Sequence, residues 1–170
     1  MNENSNFKNR DFKSWEEFYS YLKNKKNIGE NSISLSKKYI SDLMKEFNLD
    51  DSCFSLGTSK ILTYYVPEKE TFGNVRFNQE EIKIAIKYTG IEGIKPKYVS
   101  GNYCMQRIKI HSQKEYLNQK ELIFKLAKSA FLLIENDQSD YIKELCSKIK
   151  RKEWNKSEIK CNEIKKKLRK

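Results

Sequence analysis

The chain has one histidine, His111, four residues after Arg107 in a run that reads as a β-strand. On extended backbone residues four apart share a face. An imidazole able to give or take a proton near neutral pH would therefore stand beside Arg107 and Lys109, with Tyr103 on the same side. That group suits two chemistries. A histidine set against a phosphodiester is the acid or base of an RNA-cleaving site. Without proton transfer, an aromatic ring beside cations stacks a base and holds phosphates. A single histidine at a strand end is also compatible with an ordinary surface position.

Carboxylates offer a third chemistry. Pro67-Glu68 is followed by Glu81-Ile82-Lys83. Two carboxylates can hold a divalent cation while a lysine steadies the attacking water, and the set resembles the P-D, D/E-x-K pattern of metal-dependent nucleases. Glu81 has a competing use, because Asn78 and Glu81 form a capping box that reads residues 78–89 as a helix. Gly90-Ile91-Glu92-Gly93 then follows. Strand, helix, G-x-x-G, two strands and a long helix resemble the layout of a KH module, whose G-x-x-G loop clamps a nucleic-acid backbone. Glu92 departs from that pattern by placing an anion where phosphate would lie, and Pro96 restricts the helix expected after the loop.

Cysteines at 53, 104, 146 and 161 form no C-x-x-C pair, so buried free thiols are expected rather than a metal site. No Walker loop, dinucleotide fingerprint, G-x-S-x-G elbow or H-E-x-x-H occurs. With one histidine and no expected cofactor, a non-enzymatic protein is the expected reading, with a small nuclease as the weakest alternative.

Charge points to a partner. The net charge is +11, which favours nucleic acid, then an acidic protein or membrane surface. Residues 151–170 hold nine basic side chains (151, 152, 156, 160, 165, 166, 167, 169, 170) against three acidic ones (153, 158, 163), just over half of the net charge. Arg151, Lys152, Lys165, Lys166, Lys167, Arg169 and Lys170 are the tail's candidate phosphate contacts. Trp154, Cys161, Ile164 and Leu168 form a seam that would dock on the domain or a second copy, making a homodimer. Arginine, suited to bidentate base contacts, is scarce, so the charge supports backbone contact over base reading. Lysine, isoleucine and asparagine have AT-rich codons, so coding bias is an alternative source for part of this composition.

The elements that must position these groups are read from periodicity. Residues 1–12 form a polar arm. Ser14 with Glu17 opens a first helix through Trp15, Phe18, Tyr19 and Leu22. A second helix starts near Ser34 or Ser36, with Tyr39, Ile40, Leu43, Met44 and Phe47 inward and Asp42 and Glu46 outward. The intervening loop, 27–34, is longer than a helix-turn-helix turn. Residues 60–66 read as a strand ended by Pro67, and 74–77 as its hairpin partner. Residues 98–99 and 103–110 form a second hairpin around Ser100-Gly101-Asn102. In its last strand Cys104, Gln106, Ile108 and Ile110 form a dry face, and Tyr103, Met105, Arg107 and Lys109 a basic one. Ser112 and Glu115 open a long helix, 112–135, apolar on most of its circumference and so expected to be wrapped by other elements. A final amphipathic helix spans 139–150.

The expected fold is α+β: an antiparallel sheet of three or four strands packed on the long central helix, two N-terminal helices, and one or two C-terminal ones. Residues 13–150 form the domain, between the 1–12 arm and the 151–170 basic tail. The expected function is nucleic-acid binding, DNA ahead of RNA, through Tyr103, Arg107, Lys109 and the tail, in an accessory or regulatory protein of a mobile element. The rival is a protein–protein module or inhibitor that binds a larger nucleic-acid-handling partner. The N-terminus lacks an apolar h-region and no apolar run approaches the roughly 20 residues needed to span a bilayer, so a cytoplasmic location is expected.

Overall fold

A computed structural model describes residues 7–91, 98–100 and 103–148. The elements are α1 (Trp15–Lys25), α2 (Glu30–Phe47), a 3-10 turn (Asp51–Cys53), β1 (Phe54–Leu56), β2 (Ile61–Tyr65), β3 (Thr71–Phe77), β4 (Ile82–Lys87), β5 (Tyr98–Ser100), β6 (Tyr103–Ile110), α3 (Gln113–Glu135) and α4 (Ser139–Lys148). The fold is α+β, with one antiparallel sheet in the order β1-β2-β3-β4-β6-β5. Among the described residues it has six strands where three or four are expected from the sequence.

The largest correction is β4. Its Ile82, Ala85 and Ile86 satisfy a helical period, but Ile82, Ile84 and Ile86 satisfy a period of two, and all three are fully buried. Three β-branched residues on one face favour a strand, and pairing with β3 on one side and β6 on the other makes it central. Asn78 and Glu81 do interact, but across a hairpin turn. The Asn78 amide N–H donates to the Glu81 carbonyl at 2.9 Å, and its side-chain nitrogen donates to Glu81 Oε1 at 3.1 Å.

Alternation then sorts the sheet into two faces. Phe54, Leu56, Leu62, Tyr64, Val75, Phe77, Ile82, Ile84, Ile86 and Ile110 are all fully buried on one side. The helices close over it through their rings. Phe18 of α1 meets Phe77 at 5.8 Å, Tyr39 of α2 meets Tyr64 at 6.0 Å, and Phe131 of α3 meets Phe72 at 5.4 Å between centroids. Each such burial is worth roughly 1.5–3 kcal/mol. Tyr64 needs room for its ring. Gly73, directly opposite it, provides that room, since a Cβ there would run into the Tyr64 ring and hydroxyl and the Ala85 carbonyl.

Helix α2 begins at Glu30, four residues before the expected start, so its connection to α1 is only 26–29. Ser36, one of the two expected starts, lies buried inside the helix, as does Ser32. Ser32 Oγ donates to the carbonyls of Asn78 and Glu81 at 2.8 and 3.0 Å, tying α2 to the β3–β4 turn. Asp42, expected outside, is also buried, and it accepts from the Tyr116 hydroxyl at 2.5 Å.

Helix α3 has its expected length and cap, with Ser112 Oγ accepting from the Glu115 amide at 3.1 Å. The Glu115 carboxylate reaches one residue further back than a capping box requires, accepting from the His111 amide at 2.8 Å. The helix is not wrapped. Tyr116, Ile123, Leu126, Ala127, Ala130, Phe131 and Ile134 are buried, but Leu117, Leu122 and Leu132 face solvent. It is a lid on the sheet rather than a central axle.

Within the expected 1–12 arm, residues 7–12 are packed. Phe7 and Phe12 are buried, Phe7 lies edge-on to Trp15 at 5.2 Å, and the Lys8 amide donates to the Phe54 carbonyl at 2.9 Å. Among the described residues no helix is long and apolar enough to cross a membrane.

Candidate nucleic-acid interface

The second face of the sheet carries the candidate site. Directly paired residues in an antiparallel ladder project to the same side, so the register can be followed across strands. Ile61 pairs with Arg76, Arg76 with Lys83, and Lys83 with Lys109. The neighbouring row on this face is Ser55, Thr63, Asn74, Ala85 and Arg107. Three strands therefore present Arg76, Lys83 and Lys109 side by side, roughly 5 Å apart, with Arg107 about 7 Å along the last strand. Lys109 is exposed and Arg76, Lys83 and Arg107 are partly exposed.

Like charges placed directly opposite one another repel and destabilise a sheet. One carboxylate moderates the row at its edge. Glu81 lies one step beyond β4, with Oε2 2.9 Å from His111 Nδ1 and Oε1 4.0 Å from Lys109 Nζ. The lysine contact is long and its side chain is 59% exposed, so it neutralises little. Tyr65 continues the same face along β2, and the exposed Lys8 holds its ammonium 4.5 Å from the centre of that ring.

The far end of the face is closed. Lys87 and Met105 pair across β4 and β6, and both are buried. Met105 keeps the face that alternation assigns to it but is buried there. Lys87 lies 3.5 Å from Glu70 Oε2. Burial pulls its ammonium below the ordinary lysine value, and Glu70 offsets part of that.

Of the residues singled out from sequence, Arg107, Lys109 and His111 do share one face, and the backbone of Tyr103 lies in the same strand. Arg151, Lys152, Lys165, Lys166, Lys167, Arg169 and Lys170 lie outside the described residues, as does the seam of Trp154, Cys161, Ile164 and Leu168. The nuclease-like set is not assembled. Glu68 sits in the β2–β3 turn and Glu81 in the β3–β4 turn, at opposite ends of the seven-residue β3, about 20 Å apart. The KH-like layout fails at its helix, which is β4; Gly90 takes a left-handed φ of 86° after it. Cys53, Cys104 and Cys146 are buried free thiols.

Sequence reasoning missed Arg76, Lys83 and Tyr65. The signal for Lys83 was available in the alternation of Ile82, Ile84 and Ile86 with Lys83, Ala85 and Lys87. The Asn78–Glu81 capping pattern competes with that alternation by favouring a helix. On the helical side, Trp15, Tyr19, Ile40 and Met44 line an apolar groove of about 430 Å³ between α1 and α2. No family model, no curated protein and no solved structure matches this chain.

Proposed function

We propose that this protein binds nucleic acid through the open face of its sheet, with the 151–170 tail adding sequence-independent phosphate contacts. The observation that carries the proposal is the row Arg76–Lys83–Lys109 with Arg107 beside it. A fold has no structural need for three adjacent cations in one cross-strand row, and their repulsion works against it. An anion laid across β3, β4 and β6 removes that repulsion and releases its own counterions. The role is binding rather than catalysis, in keeping with an accessory or regulatory protein. A second reading, a module for a protein partner, is supported by the apolar groove between α1 and α2.

The test is fluorescence anisotropy of labelled oligonucleotides between about 50 and 200 mM salt, a range over which phosphate-dominated binding weakens steeply. Arg76→Gln and Lys109→Gln should each flatten the dependence of log K on log salt by about 0.7–0.9. Lys37→Gln and Lys38→Gln, exposed on the outer side of α2, should leave it unchanged. Removing residues 151–170 should lower affinity for all sequences alike. Absence of binding at the lowest salt, or face variants that bind like the wild type, would overturn the proposal.

A further inference from the structure

We infer that the ligand of this face is a single-stranded polynucleotide, with its backbone on the cation row and a base on Tyr65; this rests on the reading of the face as a nucleic-acid interface. The first reason is shape. A duplex is read by an α-helix or a two-stranded ribbon inserted in its major groove. Here the cations lie within a six-stranded sheet, about 24 Å across, twice the width of that groove. Such a face cannot enter a duplex, but an unpaired strand can lie flat on it.

The second reason is the order of chemistry along the strands. Arg76, Lys83 and Lys109 form one row. The next row pairs the partly exposed, polar Thr63 and Asn74 with the buried Ala85 across β2, β3 and β4. Tyr65 lies one step further along β2, about 13 Å from the cation row's Ile61. A strand whose phosphates follow the cations would place its bases over Thr63 and Asn74, groups able to hydrogen-bond base edges. Tyr65 then offers a ring to stack on. In a duplex those base faces are already covered by their neighbours.

Lys8 rests over the Tyr65 ring, but an exposed lysine–ring contact is weaker than base stacking. A base can displace it, and the freed ammonium then becomes one more phosphate contact.

The experiment measures anisotropy of the full chain with a labelled 15-nucleotide thymidine strand, a uridine strand of the same length, and a hairpin duplex, for wild type, Tyr65→Leu and Tyr65→Phe. The single strands should bind at least tenfold tighter than the hairpin. Tyr65→Leu should weaken single-strand binding by about 5- to 150-fold and leave the hairpin unchanged, while Tyr65→Phe, which keeps the ring, should stay close to wild type. Preference for one sugar would assign the strand as DNA or RNA within the same inference. Equal or tighter hairpin binding, or a Tyr65→Leu protein that binds single strands normally, would overturn the single-strand inference while the interface stands. Failure of every probe to bind would overturn both.

Discussion

Replacing Lys83 by glutamine should make the protein more stable and a poorer ligand for nucleic acid, a combination expected only if the sheet face is a binding surface. Lys83 is flanked in its row by Arg76 and Lys109. At about 5 Å in water, each like-charged neighbour repels it by about 0.8 kcal/mol. Removing the charge relieves two such terms and forfeits an attraction to Glu81, two residues back on the same face, of about 0.6 kcal/mol. The net gain is about 0.5–1 kcal/mol, or a rise in Tm of roughly 1–4 °C for a chain of this size. Thermal melts at low salt should show it. In 1 M salt, where the Debye length falls to about 3 Å, the gain should vanish. In parallel titrations with a single strand, the salt slope should drop by about 0.7. A Lys83→Gln protein that melts lower than wild type would refute the electrostatic reasoning, as would a gain that persists in 1 M salt.

Three further outcomes follow from the packing. Phe12→Ala should destabilise by about 3 kcal/mol, because Phe12 is buried edge-on to Phe18 at 5.4 Å; denaturant unfolding checks this, and a free N-terminal arm would give no change. Gly73→Ala should cost about 1–3 kcal/mol or more, since Tyr64 and the Ala85 carbonyl occupy the space its methyl needs. It should read out as a lower urea midpoint. For Asp42, burial by itself would raise the carboxyl's pKa, but the Tyr116 hydroxyl and the ammonium groups of Lys120 and Lys38 outweigh it and hold the value below the ordinary one. A depressed carboxyl stabilises the fold above its unfolded value, near pH 4, and loses that contribution as pH falls through the folded one. The stability difference between wild type and Asp42→Asn should therefore be about 1–2 kcal/mol at pH 7 and shrink on acidification below pH 4. A difference independent of pH would show that the charge is irrelevant.

The sequence by itself determined the α+β class, the β2, β5 and β6 strands, and the span and cap of α3. These rest on short-range physics: capping serines, a proline after β2, turn residues between two β-prone runs, and one strong helical period. It also placed Arg107 and Lys109 on one face, because alternation along a single strand is local. Only the tertiary structure decided that residues 82–87 form a strand, since an isolated segment with isoleucines at both periods is resolved by its neighbours β3 and β6. The same holds for Phe7 and Phe12, whose burial depends on β1 and α1, and for Ser32 and Asp42, whose partners lie at Asn78, Glu81 and Tyr116. The candidate site follows the same division. One strand's share of it was legible in order, while the row Arg76–Lys83–Lys109 exists only in the register between strands. Register is set by turn geometry and by which face each strand must bury, and neither can be read along a single strand.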